Sequence, residues 1–290
     1  MNEYAIITDS TSDLSPGMLE RYSIRVLPMD VVLGDRTFLH YPDARNMSFG
    51  AFYNQLRAAV EAKTTQINLQ TYLETFEDIL STGKDVFYIG FSSGLSGSFG
   101  NAVKAAEELH PRYPNQKVAV IDSLSASTGE GFLVYHAALE KEKGKSFDEL
   151  EQWVLQNRLR VNHWFVVDDL FHLKRGGRVS STAAVAGSML GIKPLLKFDD
   201  QGKMVVIDKI RGRKKSLKEL VVRMEQNYQP CEAAFVFVSH GDCMEDAQFV
   251  EALIREKFAV SDVVLNYIGP VIGIHSGPNT VALFYFGDTR

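Results

Sequence analysis

Hydroxyls and glycines crowd one stretch of this chain, Gly90-Phe91-Ser92-Ser93-Gly94-Leu95-Ser96-Gly97-Ser98-Phe99-Gly100. Glycine lets backbone approach a ligand closely, serine adds hydroxyl donors, and a following helix N-terminus offers unpaired N–H groups with partial positive charge. That chemistry suits a carboxylate or a phosphate. An ordinary glycine-rich connection between a strand and a helix fits the segment equally well, so other residues must decide. Four further polar clusters interrupt the apolar pattern: Thr8–Asp13, Lys63–Asn68, Lys174–Arg178 and His275–Asn279. Each has two readings. Asp9 and Asp13 lie where open α/β sheets place ligands, and serve equally as caps of the first helix. Thr64 and Thr65 offer hydroxyls to a ligand or cap the helix after them. Lys174, Arg175 and Arg178 surround two glycines and suit an anion, a partner or a solvated turn. His275 taken alone reads first as a structural histidine.

A serine hydrolase is the rival reading. Gly90-Phe91-Ser92-Ser93-Gly94 matches G-x-S-x-G after a strand, and His275 lies downstream with Asp242 or Asp262 between. An acyl-ester hydrolase would use Ser92 or Ser93 with His275. Two details oppose it: the helix pattern starts several residues after Ser92, and no HGGG-like segment completes an oxyanion hole. There is no P-loop and no G-x-G-x-x-G after a strand, so nucleotide binding lacks its usual support. Seven histidines show no H-E-x-x-H, and no metal or cofactor is expected.

The elements that must carry these clusters alternate in the first half. Tyr4–Thr8 reads as a strand, Ser15-Pro16 opens a helix, and Ile24–Val32 reads as the next strand. Ser48 caps a helix over Phe49–Glu61, and another covers Leu69–Leu80 before the strand Val86–Phe91. A helix from Asn101, the strand Lys117–Asp122 and the helix Thr128–Lys143, closed by Gly144, follow. This is the pattern of a mostly parallel sheet. Beyond Val161 it changes. Ile192–Phe198 and Met204–Ile210 flank Asp199-Asp200-Gln201-Gly202 as a hairpin. Helices near Arg213–Asn227 and Glu245–Lys257 and strands near Ala233–Ser239, Asp262–Tyr267 and Thr280–Phe286 complete the chain. The expected fold is α/β in two domains: 1–160 with a parallel α/β sheet, and 161–290 of α+β type, with the ligand site between them.

Composition narrows the field. Among 290 residues, 45% are hydrophobic and 23% charged, and the net charge of −5 argues against nucleic acid as a partner. Two cysteines, Cys231 and Cys243, are too few for a disulfide framework and read as reduced thiols. The chain begins without a basic n-region, and no apolar run approaches the ~18–20 residues that span a bilayer. A cytoplasmic protein with at most transient membrane contact is expected.

The clusters, taken in order and spacing, resemble the DegV family. The segments that carry the resemblance are Ile7–Asp13, Lys63–Gln66, Phe91–Phe99, Val120–Ser123, Leu173–Ser180, Gly191–Leu196 and Gly273–Pro278. The resemblance implies a lipid-binding subunit, not catalytic by itself, that buries one long-chain fatty acid in a tunnel between its domains. A separate ATP-binding fatty acid kinase subunit phosphorylates the carboxylate, and the acyl phosphate enters phospholipid synthesis. The implied carboxylate contacts are Thr64 and Thr65, Ser92 and Ser93, the backbone N–H of Ser93 or Gly94, and His275. Thr64 and Ser93 are the first-choice donors, and Arg175 and Arg178 are expected to meet the kinase and the phosphate. Two segments depart from the family: its Thr-Ser-Gln-Pro-Ser reads Thr64-Thr65-Gln66-Ile67-Asn68, and the final glycine of its His-x-Gly-Pro-Gly is Asn279. Asparagine still tolerates the left-handed conformation. A carrier of another amphipathic acid, with no kinase, is the second alternative.

Overall fold

The computed structural model describes residues 3–179, 191–230 and 235–290. Short apolar runs of the first half build a parallel sheet from β1 (Tyr4–Asp9), β2 (Arg25–Leu27), β6 (Asp85–Gly90) and β7 (Val118–Asp122), in the order β2-β1-β6-β7. All six residues of β6 are buried, as a parallel strand covered on both faces requires. Alternate side chains enter different cores. Ile6, Phe87 and Ile89 join one cluster, while Ile7, Val86 and Tyr88 join another under the helices Leu69–Leu80 and Ser98–Leu109.

The second half forms a six-stranded mixed sheet. Its strands are β8 (Val161–Val166), β9 (Ile192–Phe198), β10 (Met204–Arg211), β11 (Phe235–His240), β12 (Asp262–Tyr267) and β13 (Val281–Phe286), in the order β10-β9-β8-β13-β11-β12. Among the described residues only β11 and β12 of this sheet pair in parallel. Helices Arg213–Asn227 and Met244–Lys257 cover its outer face. A small antiparallel sheet of β3 (Met29–Leu33), β4 (Arg36–His40) and β5 (Ala62–Thr64) completes the fold. The fold is thus α/β, with a parallel sheet first and a separate mixed sheet after it.

Helix Thr128–Glu142 lies between the two large sheets. Residues Thr128–Ala138 are all buried, which is why this helix shows no polar face. Phe132 meets Phe237 and Phe286 with ring centroids 5.4 and 4.8 Å apart. Gly129 lets the helix close on the mixed sheet, since a Cβ there would fall 2.2 Å from His163 Nε2. One apolar core therefore runs from Ile6 and Phe87 through Phe132 to Phe165 and Phe284.

Several expectations need correction. Ile24–Val32 is two strands: Pro28, which has no N–H to give a ladder, separates β2 in the parallel sheet from β3 in the small one. The helix expected to reach Glu61 stops at Arg57, and Ala59 turns to φ +58° before β5. The helix expected from Asn101 begins at Ser98. Three helices were not expected: Phe147–Asn157, which starts on a Ser146/Glu149 capping box, Phe171–Arg175 and Pro270–Ser276. Cys231, Ser180 and the start of the strand expected at Ala233 lie outside the described residues.

Candidate functional site

The Ser/Gly loop leaves β6 already tied down. Asp9 Oδ2 accepts from Phe91 N–H at 3.1 Å, and Ser92 N–H donates to Ser125 O at 3.0 Å. The Ser92 hydroxyl donates to Gly202 O at 2.8 Å and accepts from Gly94 N–H at 3.2 Å. Ser93 N–H donates to Asp122 Oδ1 at 3.2 Å, and the Ser93 side chain is exposed. Gly94 is packed closely by the β9–β10 turn, where a Cβ would stand 2.6 Å from Gln201 O. Ser92, Ser93 and Gly94 thus bond within the fold, and the loop turns its third serine inward. Ser96 Oγ lies 3.0 Å from Ser98 Oγ, and Ser98 Oγ accepts from Ile67 N–H at 3.1 Å. These bonds fasten the Ser/Gly loop to the Lys63–Asn68 segment.

Thr64 ends β5 and faces His275 from 211 residues away in sequence, with Thr64 Oγ1 3.0 Å from His275 Nε2. Thr65 is exposed, and its hydroxyl donates to Asp30 Oδ2 at 3.2 Å. His275 sits in the last turn of the short helix Pro270–Ser276. Burial first, then the charges of Arg178, Arg175 and His172, push its imidazole down to about 4, so the ring is neutral at neutral pH. Its Nδ1 lies against Gly176 without a hydrogen-bond partner among the described residues. Buried donors without partners are rarer than acceptors without them. We therefore assign the proton to Nε2, where it is donated to Thr64 Oγ1. Gly176 is required here, because a Cβ would fall 2.2 Å from Nδ1. Gly176→Ala should push the ring off Thr64 and lower stability by about 1–2 kcal/mol in thermal unfolding.

The two expected arginines part. Arg178 Nη2 donates to Leu95 O at 2.9 Å and a second nitrogen donates to Gly176 O, clipping the basic loop to the Ser/Gly loop. Arg175 is exposed, with its guanidinium 5.5 Å from the centroid of the Phe171 ring. Asn279 takes φ +59°, the left-handed conformation anticipated for it, and its amide donates to Asp168 Oδ2 at 2.7 Å.

These groups line a cavity of about 110 Å³. Thr64, Thr65, Ser96, Arg178 and His275 supply polar wall, and Met29, Phe91, Leu95, Met204, Val271 and Ile272 supply apolar wall. Leu95, Arg178 and Met204 also line a larger groove of about 730 Å³, walled further by Gly94, Gly177, Val179 and Lys203–Val206. The pair offers hydrogen-bond donors in the smaller cavity, and in the groove it offers a mixed wall in which Leu95, Val179 and Met204–Val206 alternate with the cations Arg178 and Lys203. Ser92 and Ser93 are not among its lining residues. Ser96 is a contact that the sequence reading missed, although it belongs to the same Ser/Gly alternation.

No hydrolase triad is assembled from the rival's residues. Asp242 Oδ2 pairs with Arg57 at 2.5 Å, Asp262 Oδ1 with Arg255 at 2.8 Å, and Ser92 Oγ bonds a carbonyl. His275 faces Thr64 instead. Among the described residues no three His, Cys, Asp or Glu side chains are placed to hold a metal ion, and no helix is long and apolar enough to cross a membrane.

The first α-helix, Pro16–Arg21, is capped by Ser15 through its bond from Met18 N–H at 3.4 Å, whereas Asp9 caps the short 3₁₀ turn Ser10–Ser12 before it by accepting from Thr11 N–H at 3.0 Å. Asp9 also braces the Ser/Gly loop. Asp13 reaches across the molecule to the segment before His275, accepting from Gly269 N–H at 3.0 Å.

The sequence profile of the uncharacterised DegV family matches residues 3–288. A DegV domain-containing protein of Clostridium perfringens is 41% identical over 290 residues, covering 100% of this chain and 99% of that one. Another, from Lactococcus lactis, is 34% identical over 97% of this chain and 96% of its own. Among solved structures, a fatty acid binding DegV family protein from Streptococcus agalactiae superposes with a TM-score of 0.85 at 26% identity, covering 100% of both chains. DegV of Bacillus subtilis, described as a fatty acid binding protein, gives 0.82 at 28% identity over 99% of this chain and 100% of that one. On this sequence match, carried end to end by the fold, the chain belongs to the DegV family.

Proposed function

We propose that this protein binds one long-chain fatty acid between residues 1–160 and 161–290 and presents its carboxylate to an ATP-dependent kinase. One observation carries the reading: a cup lined by Thr64, Ser96, Arg178 and neutral His275 shares walls with an open groove of about 730 Å³ whose apolar side chains are Leu95, Val179, Met204, Val205 and Val206. That volume falls in the range of roughly 300–1,000 Å³ typical of small-molecule sites. An alkyl tail gains about 0.8 kcal/mol per buried CH₂, which leaves a surplus to offset taking the carboxylate out of water. The fatty acid binding of the Bacillus and Streptococcus relatives supports the same ligand class here.

The proton assignment gives Thr64 its part. Because His275 Nε2–H donates to Thr64 Oγ1, the threonine hydroxyl proton is free to point at a carboxylate oxygen. Ser96 offers a second hydroxyl, and Arg178 balances the ligand charge. Ser93 stands on the exposed side of the same turn, where it can meet the headgroup at the rim. Held this way, one carboxylate oxygen attacks the γ-phosphorus of ATP. The new C–O–P linkage forms as the bond from phosphorus to the β–γ bridging oxygen breaks, and ADP leaves. In this reading exposed Arg175 meets the kinase. The reading makes the protein a carrier that is not catalytic alone, working in the cytoplasm and touching membrane only transiently.

Native mass spectrometry tests the ligand. The protein incubated with oleate should gain one fatty acid mass, lost on denaturation. Thr64→Val removes one charge-assisted hydrogen bond worth about 1.5–3 kcal/mol, so affinity should fall about 10- to 100-fold. A wild-type protein that stays free of fatty acid at saturating oleate would end this reading.

A further inference from the structure

We propose that Asp13 is the residue that positions His275. Asp13 lies in the left-handed region at φ +50° and is 6% exposed. Its Oδ1 accepts from Gly269 N–H at 3.0 Å, and its Oδ2 shares a hydrogen bond with Ser127 Oγ at 2.6 Å. Its carbonyl accepts from Asn266 Nδ2. One residue near the end of β1 thereby holds both the start of helix Thr128–Glu142 and the start of helix Pro270–Ser276.

The second of these needs such a hold. A seven-residue helix lies far below the length at which helices persist unaided, so outside contacts must set its direction. Gly269 provides its cap position with no side chain, and the axis runs on through Gly273 N–H to Gly269 O and Gly277 N–H to Gly273 O, both 2.8 Å. A Cβ at Gly269 would stand 2.4 Å from Asp13 Oδ1 and 2.3 Å from His40, so the contact is built for glycine. His275 lies six residues on, about 9 Å along the axis at 1.5 Å per residue. A tilt of about 10° at Gly269 would carry the ring about 1.5 Å, enough to break a hydrogen bond to Thr64. The consequence for ligand binding rests on the proposed carboxylate site, whereas the placement of the ring does not.

Burial raises the Asp13 carboxyl to about 8, against the opposing pull of Ser127 and Gly269 and with help from the nearby charge of Asp9. The group is therefore protonated at neutral pH. Asparagine imitates that form: its oxygen accepts from Gly269 N–H and its NH₂ donates to the Ser127 hydroxyl.

Ring ¹⁵N NMR of His275, assigned with His275→Gln, reads the outcome without any lipid. The wild type should show the Nε2-protonated neutral ring down to about pH 5, and Asp13→Asn should match it. Asp13→Ala should mix the tautomers and bring the titration up toward about 6.5, the ordinary value. An unchanged His275 spectrum in Asp13→Ala, or an Asp13→Asn as disturbed as the alanine, would overturn the proposal. Should the alanine variant not fold, Gly269→Ala pushes on the same contact from the other side, and an unchanged ring there also overturns it. If oleate never binds the wild type while these ring signatures hold, the carboxylate site falls and the positioning role stands.

Discussion

Thermal stability is expected to peak near pH 6.5 and to fall by several kcal/mol on either side, toward pH 5 and toward pH 8. The acid limb comes from imidazoles buried neutral. Burial pushes His40, His240 and His275 down to about 4 and His136 to about 3, and it takes His163 well down too. The unfolded chain binds a proton at each near 6.5, while the folded chain refuses it until well below that value. Stability from these groups is whole above pH 6.5 and is lost as pH falls toward 4. Two carboxyls act in the opposite sense. Burial raises Asp13 to about 8 and Glu130 well above its usual range. Below about 4 both states hold these protons; above it only the folded state does, so Asp13's contribution is lost as pH rises through about 8, and Glu130's is lost in the same direction. Between 4 and 6.5 five imidazoles outweigh two acids, and above 6.5 the acids act alone. Each unbalanced proton is worth about 1.4 kcal/mol per pH unit. Unfolding curves at constant ionic strength from pH 5 to 9 would show the dome, with Asp13→Asn flattening the alkaline limb. A level profile would mean that these rings and carboxyls are solvated in solution.

The parts of this design that sequence makes legible are those written locally. Alternating serine and glycine after an apolar strand marks the loop, Ser15-Pro16 marks a helix start, and the Asp199–Gly202 turn marks the hairpin. The Ser146-x-x-Glu149 box is equally local and marks the start of the helix Phe147–Asn157. Other features have no local signature. The helix carrying His275 is too short for a 3.6-residue pattern, and helix Thr128–Glu142 is buried on every side, so neither displays an amphipathic stripe. The Thr64–His275 contact exists only because β5 and that helix meet. Ser92, Ser93 and Ser96 look alike in the sequence. Only the packing of Gly202 and Asp122 shows which hydroxyls and amides the loop spends on itself. Asp9 and Asp13 pose the same problem, both reading as caps four residues apart.

Those two aspartates should respond oppositely to the same substitution: Asp9→Asn should cost on the order of 4 kcal/mol where Asp13→Asn is mild at neutral pH. Asp9 is wholly buried and receives hydrogens from four groups. Thr11 N–H and Thr11 Oγ1 reach Oδ1 at 3.0 and 2.5 Å, and Tyr88 OH and Phe91 N–H reach Oδ2 at 2.8 and 3.1 Å. A backbone N–H can only donate, so an amide NH₂ in place of Oδ2 would face a donor with a donor. Turned around, it would meet Thr11 N–H in the same way. Glu130 completes the argument. Thr11 has one hydroxyl proton, yet its oxygen lies 2.5 Å from Asp9 and 2.7 Å from Glu130 Oε2. The second contact needs a proton from Glu130, whose carboxyl is held protonated by burial and by the charge of Asp9. Glu130 Oε1 accepts from Thr8 Oγ1 at 3.0 Å, so a glutamine can reproduce both bonds. Glu130→Gln is therefore expected to cost less than about 1 kcal/mol in denaturant unfolding, and Asp9→Asn to shift the midpoint severely. The reverse result, a tolerant Asp9 and an intolerant Glu130, would place the proton on Asp9. The brace on Phe91 would then be a neutral acid, and the Ser/Gly loop would lose the fixed charge that anchors its first amide.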